Sequence, residues 1–245
     1  MSSVRLLSLD AGNTIVFLDH ELVARLVAAV LRGEGIDSDV SGPAIERAEG
    51  IAKKLLDRKQ LLPPLPDNDI TAAWSSFMST LVLIATEVDG VNEALAAACT
   101  RALWAEHRTF NLWRKVPDGL VDAVAGLRAR GVPVVVVSNS EGKLQELFDN
   151  LGLGQAFDLV IDSHHVGVEK PDPAIFRVAL DRYRVAAADA LHLGDTFATD
   201  VVGARAAGMQ VALIDPYGHY DGEYVDVPRV HDVVAACRSI VSGLT

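Results

Sequence analysis

Four groups of polar residues in this sequence combine side chains that could carry out group-transfer chemistry. Each group follows an apolar run or precedes a helical pattern. The groups are Asp10-Ala11-Gly12-Asn13-Thr14, Ser138-Asn139-Ser140, Lys170, and Gly194-Asp195-Thr196 with Asp200 shortly after. Acidic side chains that lie close together repel one another unless a cation or a lysine compensates their charge. The set therefore predicts a hard divalent cation bound by oxygen atoms beside a lysine.

The elements that must position these groups are predicted to be parallel strands that alternate with helices. Buried strands are expected at the apolar runs 4–9, 132–137, 159–161, 190–193 and 211–214. Helical patterns separate the runs after residue 117, and Asp118 and Asp172 are expected to cap two of these helices. This alternation predicts an α/β fold with a doubly wound parallel sheet. Ligands bind such sheets at the carboxyl ends of the strands, so the four groups are expected at one edge.

A second predicted unit interrupts this pattern after the first strand. Residues 17–113 contain no convincing strand, and helices are expected at 21–32, 43–60, 69–86 and 91–107. We therefore predict an α/β core formed by residues 1–16 and 114–245. The all-helical insertion at 17–113 is a natural candidate for a lid. Its tryptophans are expected to pack in its own core.

Composition excludes several classes of protein. The 245 residues are 50% hydrophobic, and 22 basic against 33 acidic residues give a net charge of −11. Such an acidic chain has no electrostatic footprint for nonspecific binding to nucleic acid or to anionic membranes. The longest apolar stretches are too short to span a membrane. Two cysteines are too few for a disulfide framework, so a cytoplasmic location is expected, and the oligomeric state stays open.

Over essentially its whole length, the chain resembles the haloacid dehalogenase (HAD) superfamily, subfamily I, with a helical cap of the C1 type. The family pattern is a strand followed by Asp-x-Asp-x-Thr, a strand followed by Ser or Thr, a lysine before a helix, and Gly-Asp with a second Asp a few residues later. All four parts occur here in order. The resemblance implies a Rossmann-like core, a cap at 17–113, Mg²⁺ as cofactor and a small phosphorylated substrate.

The resemblance also implies a role for each residue. Asp10 would be the nucleophile that forms an aspartyl phosphate, and Lys170 would be the second catalytic residue. The residues expected to contact the substrate or support the nucleophile loop are Ser138, Asn139 and Thr14. The residues expected to hold Mg²⁺ are Asp10, Gly12 through its backbone, Asp195 and Asp200. These roles agree with the chemistry, because a carboxylate can accept a phosphoryl group while lysine and metal stabilise its charge.

One position departs from the family pattern. The second aspartate of the first motif, which is the general acid/base of the phosphatases, is Gly12 here. Candidate replacements are Asp19 and His20, which follow the nucleophile loop, and the pair His164-His165. The prediction is a Mg²⁺-dependent phosphatase that lacks the usual acid.

Three alternatives stay open. The protein could be a catalytically weakened relative that binds a phosphorylated ligand or a protein partner. It could be a phosphonatase, which would use a cap lysine such as Lys53 or Lys54 in a Schiff base, although both look like the solvated edge of an amphipathic helix. Haloacid dehalogenases usually have an aromatic residue in place of Gly12, which argues against that activity.

Overall fold

The computed structural model describes residues 4–243, which form two compact units. The first unit, the core, comprises the described residues up to Phe17 and those from Lys115 onward, and the second, the helical unit, is Leu18–Arg114. The strands are β1 (Leu6–Leu9), β2 (Phe17–Leu18), β3 (Trp113–Lys115), β4 (Val134–Ser138), β5 (Leu159–Asp162), β6 (Ala190–Gly194), β7 (Gln210–Ile214) and β8 (Arg229–Val230). The helices are α1 (His20–Gly33), α2 (Gly42–Asp57), α3 (Ala72–Ala85), α4 (Glu93–Thr109), α5 (Leu120–Arg128), α6 (Leu144–Asn150), α7 (Ser163–Val166), α8 (Ala174–Tyr183), α9 (Val202–Ala206) and α10 (Val233–Gly243).

A six-stranded parallel sheet organises the core. Its strand order is β5-β4-β1-β6-β7-β8, and every neighbouring pair is parallel. The valines of β4 are completely buried, as are Leu6, Leu7 and Leu9 of β1, because helices cover both faces of the sheet. Helix α8 packs on β4 and β5, while α5 packs on β4 and on α10. The predicted α/β fold with a doubly wound parallel sheet is confirmed.

The helical unit has a hydrophobic core of its own. Buried residues of α1, such as Val23, Val27 and Leu31, recur every three or four positions and contribute to this core. Trp74 is buried in it, and Trp104 and Trp113 pack against it. Among residues 4–243, we find no helix that is long and apolar enough to cross a membrane.

Local structure differs from the sequence-based expectation in three places. Strands β2 and β3 pair at the ends of the segment predicted to be all-helical, and they are too short to produce an alternating pattern. Gly119, not Asp118, occupies the N-cap position of α5, where a φ of 78° favours glycine. Pro173 takes the N-cap position of α8, although the carboxylate of Asp172 still accepts a bond from the N–H of Ala174 at 2.9 Å.

Asp162 joins three segments at the end of β5. This residue is 4% exposed, and its carboxylate accepts backbone N–H bonds from Gly142 (3.2 Å), Leu144 (3.3 Å) and His164 (3.0 Å). It therefore fixes the beginning of α6 and the beginning of α7 together.

Substitution Asp162→Ala is expected to lower the free energy of unfolding by about 2–4 kcal/mol, because it leaves one buried and two partly buried backbone N–H donors without their acceptor. Urea denaturation measures this change. The matched variant Asp162→Asn keeps one side-chain oxygen and should lose less. A loss below about 0.5 kcal/mol for Asp162→Ala would contradict the role assigned to the carboxylate.

Candidate active site

Three neighbouring strands bring the predicted site residues to one edge of the sheet. β1 lies between β4 and β6, with Leu9 paired to Val136 on one side and to Leu193 on the other. Asp10 follows β1 directly, and its N–H donates to the carbonyl of Leu193 at 2.8 Å. Because the strands are parallel, their carboxyl ends share an edge, and Asp10 stands between the other two strand ends.

The ammonium group of Lys170 lies between two buried carboxylates. Its Nζ donates to Oδ1 of Asp10 at 2.5 Å and to Oδ1 of Asp200 at 2.6 Å. The three side chains are at least nine-tenths buried. Removing one member of a buried ion pair leaves an uncompensated charge, which is strongly destabilising. The three residues, far apart in the sequence, therefore form one electrostatic unit.

Asp10, Asp195 and Asp200 form a carboxylate cluster that could hold a metal ion. One oxygen from each lies within 4.8 Å of the others, and all three residues are buried. Lys170 compensates only part of their negative charge. A concentrated set of oxygen donors fits a hard divalent cation such as Mg²⁺. Gly12, the fourth predicted ligand position, is half-buried in the loop after β1.

The surroundings of Asp10 and Asp200 shift the pKa values of these two carboxyl groups in opposite directions. Burial raises the pKa of Asp10 to about 7; Lys170 opposes this shift, while the charges of Asp200 and Asp195 add to it. For Asp200, burial is outweighed by Lys170 and by the hydrogen bond with His192, which hold its pKa below the usual range. Burial also disfavours the charge on Lys170, yet the two carboxylates keep the pKa of Lys170 above its usual value. Asp200 is thus the permanent anion of the site.

The structure adds a residue that was not among the predicted candidates. His192 is completely buried in β6, with Nε2 at 3.1 Å from Oδ1 of Asp200 and Nδ1 at 2.9 Å from Oγ of Ser8. Burial lowers the pKa of His192 in spite of its bond with Asp200. The available sequence signal was a histidine inside the apolar run 190–193, where a buried polar side chain needs partners.

Two backbone features allow Asp200 to reach Lys170. Phe197–Val201 form a π-helical turn, and the N–H of Thr196 donates to Oδ2 of Asp200 at 3.0 Å. A Cβ atom at Gly194 would collide with the side chain of Asp200. Glycine is therefore required at position 194 for the close approach of Asp200.

Ser138 and Asn139 lie together at the end of β4 but have different surroundings. Ser138 is the buried last residue of the strand. Asn139 bonds the backbone of Lys170 in both directions: its Oδ1 accepts from the N–H at 2.8 Å, and its Nδ2 donates to the carbonyl at 3.0 Å. Asn139 thus fixes the segment that carries Lys170, while its contact with substrate stays a prediction.

The loop after β1 is a tight turn that buries Thr14. The N–H groups of Ile15 and Val16 both donate to the carbonyl of Ala11 at 3.0 Å, and Asn13 has a left-handed backbone with φ of 51°. Thr14 is completely buried, and within residues 4–243 its hydroxyl has no hydrogen-bond partner. Because an unpaired buried hydroxyl is costly, this group is suited to bonding a polar ligand.

Asp19 and His20, the candidates for the missing general acid, and Lys53, a candidate for a Schiff base, lie in the helical unit. Asp19 caps α1, since its Oδ1 accepts from the N–H of Leu22 at 3.2 Å. His20 lies with Nε2 at 2.9 Å from Oε2 of the buried Glu49. Lys53 is only 4% exposed, so the solvated position predicted for it is wrong. Lys53 lies one turn after Glu49 on the same face of α2, and both residues are buried.

Comparisons with known proteins identify the family. A family model described as haloacid dehalogenase-like hydrolase matches residues 4–208. Haloacid dehalogenase-like hydrolase domain-containing protein 3 from Mus musculus is 40% identical over 232 residues, covering 93% of this chain and 89% of the mouse protein. A phosphoserine phosphatase from Thermus thermophilus is 32% identical over 170 residues, which are 69% of this chain and 67% of that enzyme. The magnesium-bound HAD hydrolase YfnB from Bacillus subtilis shares the fold, with a TM-score of 0.65 at 17% identity and coverage of 97% and 98% of the two chains. On the family match and the mouse relative, this chain belongs to the haloacid dehalogenase-like hydrolases.

Proposed function

We propose that this hydrolase is a Mg²⁺-dependent phosphatase that acts on a small phosphorylated metabolite through Asp10. The observation that carries the proposal is the position of the Asp10 carboxylate, which lies beside the Lys170 ammonium and within a cluster of buried oxygen ligands. The Thermus thermophilus relative named as a phosphoserine phosphatase supports the reaction class.

The proposed reaction has two displacement steps at phosphorus. A carboxylate oxygen of Asp10 attacks phosphorus, and the bond from phosphorus to the leaving oxygen breaks, which gives an aspartyl phosphate. Water then attacks the same phosphorus, releases inorganic phosphate and restores the carboxylate. Lys170, held at 2.5 Å from Asp10, would donate to the phosphoryl oxygens and stabilise their charge.

The residues around Asp10 would divide binding between metal and phosphate. Asp10, Asp195 and Asp200, with the backbone carbonyl of Gly12, would hold Mg²⁺, which supplies positive charge to the transferring group when bound. The residues proposed to contact the phosphoryl group are Ser138, Asn139 and Thr14. The unpartnered hydroxyl of Thr14 supports this role for that residue. The helical segment 17–113 would act as the cap that selects the substrate, and 1–16 with 114–245 as the catalytic core.

A second candidate function is favoured by the side chain missing at Gly12. Asp19 and His20 are engaged elsewhere in the helical unit, and His164 and His165 are exposed on α7. A protein without a general acid could bind a phosphorylated ligand without hydrolysing it. Hydrolysis of an aryl phosphate with and without Mg²⁺ distinguishes the two functions, because a binding protein would show no metal-dependent turnover.

Asp10→Asn is expected to reduce turnover of an aryl phosphate by at least about 10³-fold, because an amide cannot form the aspartyl phosphate. Steady-state release of the phenolate measures this loss. Chelation of Mg²⁺ should silence the wild type to a similar extent, whereas Asp195→Asn should chiefly raise the Mg²⁺ concentration required. Substantial turnover by the folded Asp10→Asn protein would exclude Asp10 as the nucleophile.

The raised pKa of Asp10 predicts a pH-dependent difference in stability between wild type and Asp10→Asn. The folded state holds a proton on Asp10 up to about pH 7, while the unfolded chain loses it near 3.8. The wild type is therefore destabilised by this group as pH rises from about 4 to 7, whereas the amide of the Asp10→Asn variant has no such proton to lose.

When a chelator removes Mg²⁺, the melting temperature of Asp10→Asn should rise relative to that of the wild type as the pH is raised from 5 to 8. Melting temperatures of both proteins at the two pH values measure the gain. Ser242→Ala, an exposed change far from the site in sequence, serves as a matched control whose difference from wild type should not vary with pH. An equal Asp10→Asn difference at both pH values would contradict the raised pKa.

Gly12→Asp is expected to increase hydrolysis of alkyl phosphates by about 10-fold or more, since a positioned general acid contributes about 10²–10⁴-fold when the leaving group is poor. Hydrolysis of aryl phosphates, whose phenolate leaves without a proton, should increase much less. Gly12→Asn is the matched control, because it has a similar size and no acid. The left-handed backbone of this loop falls on Asn13, which favours tolerance of a side chain at position 12.

If the folded Gly12→Asp protein gains nothing on alkyl phosphates, the missing acid does not limit the enzyme. Circular dichroism establishes folding before the rates are compared. Equal gains by Gly12→Asp and Gly12→Asn would show that the effect comes from shape and not from acidity.

A further inference from the structure

Ser8 and His192 form a buried hydrogen-bonded pair behind the carboxylate cluster. They are direct neighbours in the pairing of β1 with β6, and they are 1% and 0% exposed. The hydroxyl oxygen of Ser8 lies 2.9 Å from Nδ1 of His192, and the other ring nitrogen, Nε2, lies 3.1 Å from Oδ1 of Asp200. The imidazole therefore connects a strand residue to a carboxylate of the site.

The chemistry of these partners fixes the tautomer of the ring. An ionised carboxylate only accepts hydrogen bonds, so Nε2 of His192 carries a proton and donates it to Asp200. In the neutral ring Nδ1 is then an acceptor, which receives the hydroxyl proton of Ser8. Both ring nitrogens of His192 and the hydroxyl of Ser8 therefore have partners. A rotation of the ring by 180° would break the bonds to Ser8 and to Asp200.

Asp200 receives donors from three directions. Oδ1 accepts from Lys170 and from His192, while Oδ2 accepts from the N–H of Thr196. The bonds to both oxygens fix the orientation of the carboxylate. Since Lys170 is shared between Asp10 and Asp200, the orientation of Asp200 also sets where the ammonium group stands beside the nucleophile.

We propose that His192, oriented by Ser8, is a positioning residue that holds Asp200 and, through it, Lys170 in the geometry required for reaction and metal binding. The kinetic part of this inference rests on the phosphatase activity proposed above. A purely structural role would be to fill space beside Phe176. The ring centroids of Phe176 and His192 lie 4.9 Å apart in an edge-to-face arrangement. An apolar side chain of similar size would serve that role equally well.

Three variants separate these roles. His192→Gln can present an amide N–H near the position of Nε2, so it should keep kcat within about fivefold of wild type. His192→Asn is shorter, with its amide near the position of Nδ1, and His192→Met fills the space without a donor. Both should lose about 10–100-fold in kcat, as expected when the partner of a metal ligand is removed, with KM changed much less. Rates are compared at saturating Mg²⁺, at a temperature where circular dichroism shows all variants folded.

Two further measurements do not depend on turnover. Titration calorimetry should show Mg²⁺ affinity weakened about 10–100-fold in His192→Met and largely retained in His192→Gln. Long-range ¹H–¹⁵N NMR of the imidazoles, with His192 assigned by its loss in His192→Gln, should show the proton on Nε2 in the wild type. Ser8→Ala should leave the proton on Nε2, because the acceptor Asp200 is retained, while it removes the bond at Nδ1.

The outcomes separate this inference from the proposed function. If the wild type hydrolyses aryl phosphates and His192→Met matches it in both kcat and Mg²⁺ affinity, His192 is not a positioning residue and the phosphatase proposal stands. If the wild type hydrolyses no phosphate, the phosphatase proposal fails, while calorimetry and the tautomer decide the role of His192. A proton on Nδ1 in the wild type would overturn the inference in either case.

Discussion

The burial of one ammonium group among three carboxylates is the constraint on which this site depends. Lys170 bonds Asp10 and Asp200 at 2.5 and 2.6 Å, and Asp195 completes the cluster. Charges in a buried position are tolerated only when every one is paired or hydrogen-bonded. The ammonium of Lys170 meets this requirement by donating to two carboxylates, and Asp200 meets it by accepting from Lys170, His192 and the N–H of Thr196. Asn139 holds the backbone of Lys170 in place.

The parallel sheet supplies the framework for this arrangement. Because β1 lies between β4 and β6, the carboxyl ends of these three strands lie side by side. The strands are buried on both faces and are short, so their positions are set by packing rather than by the polar residues that follow them. The chemistry is therefore placed on rigid supports, and the loop after β1 needs only a tight turn to present Asp10 and bury Thr14.

Much of the fold and the charged part of the site could be predicted from the sequence, for a physical reason. Apolar runs mark buried strands, and a polar residue directly after such a run must lie at a strand end, which brought Asp10 and Asp195 into the prediction. His192 could not be found in this way, because it lies inside an apolar run and its partners come from other elements. The burial of Lys53 was missed for a similar reason: helical spacing shows which residues share a face, but not which face is covered. The backbone bonds made by Asn139 depend on tertiary contacts that no local pattern encodes.

The glycine at position 194 has a consequence for how this site can change in evolution. Since a side chain there would occupy the space of Asp200, positions 194 and 200 cannot vary independently. A lineage that gains a larger residue at 194 must shorten or move the residue at 200, and Lys170 then loses one of its two anions. The two positions are expected to covary across homologous sequences, although they are six residues apart and only one of them carries a functional group.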